Sequence, residues 1–101
     1  HNCRIGDHSV LVAFARMGGS TVLGRNVLLA EDVGITDHVT LGDRCVVTAT
    51  ARVSKSWPAG SVIGGAPAME FERAKRLATL QRKLPWIMDR IREIRERLGM
   101  T

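Results

Sequence analysis

Nine apolar residues recur every six positions without a slip: Ile5, Leu11, Met17, Leu23, Leu29, Ile35, Leu41, Val47 and Val53. A helix with 3.6 residues per turn cannot keep a six-residue stripe on one side. Six is, however, a whole number of strand alternations, so this period demands an extended chain with a bend in each hexad. The position after each stripe residue holds Gly6, Val12, Gly18, Gly24, Ala30, Thr36, Gly42, Thr48 and Ser54, nearly all small or hydroxylated. The position two before each holds Cys3, Ser9, Ala15, Thr21, Val27, Val33, Val39, Cys45 and Ala51, small or β-branched throughout. Stacking such hexads predicts a parallel β-helix with three short strands per coil, so the nine hexads make about three coils, close to the minimum that buries a continuous core. A chain this short is expected to have lost coils upstream, to oligomerise, or both. The start at His1, with no Met before it, fits excision from a longer chain.

The last hexad, VSKSWP, puts Trp57 in the column of small residues, where a large ring is expected to plug the open end of the prism. PAGSVIGGAPA then reads as an irregular exit strand and loop. The organisation expected is a β-helix over 1–58, an exit strand and loop over 59–67 and a helical region over 68–101.

In that last region the period changes. Leu77, Leu80, Leu84, Ile87, Ile91, Ile94 and Leu98 are spaced alternately three and four apart, an a/d seam with Leu77, Leu84, Ile91 and Leu98 at a. Leu at a with Ile at d leans away from a dimer. A helix packed on its own β-helix competes equally with a symmetric bundle. Pro85 lacks the N–H that a helix interior needs but suits a first turn, which predicts two helices, near 68–83 and 85–98, with Gly99 as the stop.

Residues 1–57 carry six Lys or Arg against five Asp or Glu, whereas 58–101 carry nine against five, so the basic character belongs to the tail. Charge alone does not choose among nucleic acid, an anionic membrane surface and an acidic protein. No stretch approaches the ~20 apolar residues of a membrane span, and nothing reads as a signal peptide. Cys3 and Cys45, without disulfide or metal spacing, fit small interior residues of a reduced, cytoplasmic chain.

The stacking period turns spacing into geometry. His1, Gly19 and Asp37 differ by one coil each and should lie one above another, ~4.8 Å per step, with His38 beside that column. His8, five hexads from His38, falls on a different face and reads as a surface residue. With three histidines that do not converge, no metal site is expected. His1 is then a candidate general base. The backbone N–H of Gly19, unobstructed by a side chain, is a candidate oxyanion donor.

Hexads such as IGDHSV, LGRNVL and LGDRCV, followed by VIGGAPA, resemble those of the left-handed β-helix acyltransferases, whose coils trimerise and bind the acyl donor between subunits. HNCRIGD, MGGSTVLG, ITDHVTLGD and FERAKRLATLQRKLPWIMDRIREIRERL together resemble the C-terminal part of the UDP-3-O-(3-hydroxyacyl)glucosamine N-acyltransferases of lipid A biosynthesis, over essentially the whole chain. The left hand comes from this resemblance alone, since right-handed crossovers are the general rule.

The resemblance implies a bacterial, cytoplasmic homotrimer that takes a 3-hydroxyacyl group from the phosphopantetheine arm of acyl carrier protein. It implies that His1 deprotonates the glucosamine 2-amine, that Gly19 supplies the oxyanion N–H, and that His38 assists near the donor arm. Arg73, Lys75, Arg76, Arg82 and Lys83 would face the acidic carrier, so no nucleic-acid partner is implied. Two positions depart from the family pattern: Arg52 and Asp37 stand where glycine is usual, near the path of the acyl chain or pantetheine. Without the family's nucleotide-binding domain the chain alone is expected to be inactive and to bind the nucleotide sugar poorly. The competing readings are a coenzyme A-dependent sugar acetyltransferase of the same fold and a non-catalytic trimerisation module.

Overall fold

A computed structural model describes residues 1–100. Eleven short strands precede one helix: β1 Arg4–Ile5, β2 Val10–Leu11, β3 Arg16–Met17, β4 Val22–Leu23, β5 Leu28–Leu29, β6 Gly34–Ile35, β7 Thr40–Leu41, β8 Val46–Val47, β9 Arg52–Val53, β10 Val62–Gly64, β11 Met69–Glu70 and α1 Phe71–Arg97. The first nine form three parallel sheets, β1-β4-β7, β2-β5-β8 and β3-β6-β9, with β10 and β11 extending the second. Every pairing among these nine strands is offset by one coil, as in Ile5↔Leu23 and Leu23↔Leu41. The chain is therefore a solenoid of about three coils, as its period required.

Two columns per hexad fill the prism. Leu23, Leu29, Ile35, Leu41, Val47 and Val53 of the stripe are buried, and so are Thr21, Val27, Val33, Val39, Cys45 and Ala51 two residues earlier. Ile5 and Leu11 belong to the same stripe but are exposed. The corners are made by left-handed residues every six positions: Asn2, His8, Phe14, Ser20, Asn26, Asp32, His38, Arg44 and Thr50, all with φ between 55° and 64°. Asn, Asp and His tolerate this conformation best, and Phe14 and Thr50 adopt it against their preference. At the turn after β7 successive coils approach closely. A Cβ on Gly42 would lie 2.4 Å from the Ala59 nitrogen, so only glycine fits there.

Trp57 departs from its expected place. It bridges Leu41, sixteen residues back and not eighteen, and so joins the inward stripe of an additional, partial coil instead of the small-residue column. The Ser54–Ser56 turn is two residues shorter than the others. The Ser56 hydroxyl compensates by accepting the Thr40 N–H at 2.9 Å, while the Trp57 carbonyl accepts from Gly42. The ring packs against the core with Lys55 Nζ 4.6 Å from its centroid. Ile63 then stacks on Val47 to cover the stripe.

The two expected tail helices are one. α1 runs unbroken from Phe71 through Pro85 to Arg97. Proline removes one N–H and crowds the Gln81 carbonyl, at a cost of about 3 kcal/mol. Strong helix formers before it, Leu80 to Leu84, and Met88 and Arg90 after it carry the helix across that defect. The Glu70 carboxylate caps the start by accepting the Arg73 N–H at 3.0 Å. Gly99, at φ +70°, ends it as expected, with its N–H on the Glu96 carbonyl. α1 packs against β10 and β11 and buries none of its residues, so the seam is not covered by the β-helix of its own chain. At 1.5 Å per residue α1 is ~40 Å long, which accounts for the elongated 61 × 23 × 20 Å shape.

Candidate active site

The corner between the β3-β6-β9 and β1-β4-β7 sheets carries the residues singled out by the coil period. Successive coils present His1 and Asn2, then Gly19 and Ser20, then Asp37 and His38. The Ser20 N–H donates to the His1 carbonyl and the His38 N–H to the Gly19 carbonyl, both at 2.9 Å, so backbone bonds fix the three levels on one another.

The His1 ring lies against Gly19. A Cβ built on Gly19 would fall 2.9 Å from both Cε1 and Nε2 of the imidazole. Gly19 is thus required by the ring, not by its backbone angles, which lie outside the left-handed region. Its N–H has no acceptor among the described residues. The same is true of the equivalent N–H groups of Asp7, Ala13 and Glu31, whereas that of Arg25 donates to Asp43 Oδ1 at 2.9 Å. What distinguishes Gly19 is that it combines an N–H without an acceptor among the described residues with an imidazole ring packed against its Cα side.

Asn2, which sequence reasoning passed over, sits with its side-chain amide 3.4 Å from His1 Nδ1. A base that accepts a proton at Nε2 must carry one on Nδ1, and the amide oxygen of Asn2, after rotation of the amide, can receive it. The signal for it was its place beside His1 at a left-handed corner. His38 is brought to the same corner by its backbone but not into contact with His1. Its ring is three-quarters exposed and lies 4.0 Å from the Asp37 carboxylate. His8 stands at another corner, with Asn26 and Arg44 in the coils that follow.

A groove of about 340 Å³ runs over the β3-β6-β9 face and reaches this corner through Thr36 and Ser54; Arg16, Gly34, Arg52 and Pro67 are among the residues that line it. Arg52, noted in the sequence as a departure, is held there by several bonds. Its Nη1 donates to the Asp32, Thr50 and Ala51 carbonyls, and its Nη2 lies 3.6 Å from Asp32 Oδ2. Arg16 meets the same carboxylate at 2.8 Å. The bond from Arg16 is the chief cause holding the Asp32 carboxyl below its ordinary range, with the charges of Arg16 and Arg52 adding to it. Gly34 lies between the two arginines, and a Cβ there would sit 3.1 Å from Arg52 Cδ. The 36-residue spacing of Arg16 and Arg52, two coils, marks the pair in the sequence; their shared partner Asp32 was missed.

Of the five tail cations, Lys75 is engaged by Glu72 at 3.0 Å and lies over the Phe71 ring. Arg73, Arg76, Arg82 and Lys83 are exposed and make no ion pair among the described residues. No cluster of metal-ligating side chains occurs among the described residues, and none of their helices is long and apolar enough to cross a membrane.

No family model matches the chain. Over 83% of its length it is 34% identical to the UDP-3-O-acylglucosamine N-acyltransferase of Helicobacter hepaticus, and over 82% it is 40% identical to that of a Caulobacter species. A third relative, UDP-3-O-acylglucosamine N-acyltransferase 2 of Sulfurimonas denitrificans, is 40% identical over 76% of the chain. The chain spans 26%, 25% and 25% of these proteins' own lengths. In fold it is similar to a hexapeptide-repeat-containing acetyltransferase from Vibrio cholerae, with a TM-score of 0.55 and 24% identity over 68% of this chain and 61% of that one. Sequence and fold thus point the same way: the chain is a relative of the UDP-3-O-acylglucosamine N-acyltransferases, about a quarter of whose length it spans, and it shares the fold of a hexapeptide-repeat-containing acetyltransferase.

Proposed function

We propose that this chain is the catalytic wall of an N-acyltransferase that moves a 3-hydroxyacyl group from acyl carrier protein to the 2-amine of a UDP-3-O-acylglucosamine, within lipid A biosynthesis in the bacterial cytoplasm. The observation that carries the reading is the contact between the His1 ring and Gly19, in a chain 34–40% identical to enzymes of that name. The amine nitrogen attacks the thioester carbonyl carbon, and His1 takes the proton that the nitrogen loses as the C–N bond forms. The negative charge that collects on the carbonyl oxygen is met by the Gly19 N–H. Collapse breaks the C–S bond, and the proton held by His1 goes to the departing pantetheine sulfur. Proton and electron pair are both accounted for without a metal.

The donor's phosphopantetheine arm reaches the corner along the groove of Arg16, Gly34 and Arg52, and exposed His38 assists at its mouth. The acidic carrier is met by Arg73, Lys75, Arg76, Arg82 and Lys83, of which the four without an ion pair are the main contributors; such charges steer encounter as well as hold it. The protein works as a trimer of left-handed prisms, because a seam of Leu and Ile left bare along α1 needs copies of itself. The chain alone, lacking most of its relatives' length, is inactive.

The test offers the full-length protein 3-hydroxyacyl carrier protein and acetyl-CoA side by side, with the amide product identified by mass. Hydroxyacyl transfer from the carrier, weakened tenfold or more by reversing Arg82 and Lys83 to Glu, is the expected result. Transfer from acetyl-CoA alone would replace this reading with a coenzyme A-dependent acetyltransferase, and no transfer from either would leave a trimerisation module.

A further inference from the structure

Of the residues that the coil period brings to the corner, Asp37 is left without a task. Its carboxylate is exposed and accepts no hydrogen bond among the described residues, and its one ion-pair contact there is His38 Nε2 at 4.0 Å. Other carboxylates of the β-helix are engaged: Asp32 meets Arg16 and Arg52, and Asp43 accepts the Arg25 N–H. The backbone that carries Asp37 is nevertheless well fixed. The His38 N–H bonds to the Gly19 carbonyl, and a Cβ on Gly18 would run into the Asp37 nitrogen.

Place gives this carboxylate its use. Equivalent residues of successive coils point the same way, so Asp37 stands beside the space where Gly19 lacks a side chain. The site of an added Gly19 Cβ is 2.9 Å from His1 Nε2. The Asp37 Cβ lies one coil, ~4.8 Å, beyond that site, and so within about 8 Å of the imidazole nitrogen. Ring and carboxylate therefore border one gap. A single nitrogen that hydrogen-bonds to both needs its two partners roughly 6 Å apart, a separation the exposed Asp37 side chain reaches by rotation.

We infer that Asp37 holds the attacking nitrogen of the acceptor. A primary amine between His1 and Asp37 donates one N–H to the imidazole and the other to the carboxylate, which turns its lone pair to the thioester carbon. As the C–N bond forms, positive charge builds on that nitrogen. His1 takes one proton; Asp37 keeps its hydrogen bond and takes none, so the proton and the electron pair go where the proposed transfer sends them. A carboxylate facing the developing positive charge lowers the barrier, as the Gly19 N–H does for the developing negative charge. A hydroxyl in the place of the amine has a single O–H and cannot donate to both partners. The pair thus selects an amine over an alcohol, because the alcohol leaves one partner unmatched.

The inference rests on the amine acceptor proposed above and assigns the residue that recognises it. Calorimetric titration of the full-length protein with UDP-3-O-acylglucosamine, and with the matching glucose derivative that carries a 2-hydroxyl, tests it in wild type and Asp37→Ala. Wild type is expected to bind the amine tenfold or more tightly than the alcohol. Asp37→Ala should remove most of that preference by weakening the amine alone, with the melting temperature unchanged. In transfer assays the same substitution should lower kcat/KM for the amine tenfold or more and leave the KM of the carrier thioester as it was. A preference retained in Asp37→Ala, or a raised KM for the thioester with amine binding intact, would overturn the assignment. A wild type that shows the preference but transfers no acyl group would strike the proposed function and leave the amine site standing.

Discussion

Replacing His1 by alanine in the full-length protein is expected to lower kcat by 10²- to 10⁴-fold, the usual contribution of a positioned general base, while the melting temperature stays within a degree or two. The two halves of this expectation come from different facts. His1 is exposed and lies outside the core, so its side chain adds little to folding. Its ring rests on the one glycine of the corner whose N–H has no acceptor among the described residues, so its loss removes the proposed proton acceptor beside the proposed oxyanion donor. Steady-state kinetics with carrier thioester and a thermal melt check it together. A variant retaining more than a tenth of wild-type kcat would rule out the base.

Leu41→Ala should act the other way, on the fold before the chemistry. Leu41 is fully buried between Leu23 of the preceding coil and Trp57 of the partial coil that follows. Its stack is held from both sides, so the space left by the deleted atoms cannot collapse, and a loss of about 2–5 kcal/mol is expected. Against a typical domain stability of about 5–15 kcal/mol that is a large fraction. Denaturant titration measures it. A loss below 1 kcal/mol would mean that the coils relax around the cavity and do not stack as rigid layers.

The coils were legible in the sequence because their period is a whole number. Eighteen residues return the chain to the same sheet, so spacing alone put His1, Gly19 and Asp37 at one corner and Leu23, Leu41 and Val53 in one core. The corner chemistry was less legible. Left-handed residues are usually betrayed by glycine, and here nine other residues take that conformation under the constraint of stacking. The two-residue contraction before Trp57 left no trace, since VSKSWP continues the hexad frame in letters while the backbone shortens its turn. Pro85 misled for a related reason. Its local cost is real, but a single defect is spread over a helix of 27 residues with good helix formers on both sides. Partnerships set by side-chain reach, such as Asn2 with His1 and Asp32 with two arginines, depend on rotamers that periodicity does not encode.

The account depends above all on the contact between His1 and Gly19. Gly19→Ala tests it with one methyl group: the backbone there tolerates alanine, but the new Cβ would lie 2.9 Å from the ring, and the exposed imidazole must swing aside. Displacement of a reacting group by about 1 Å costs on the order of 10²-fold in rate. Measured in the full-length protein, kcat for hydroxyacyl transfer should fall by about that factor with the melting temperature unchanged; an unchanged kcat would contradict the account.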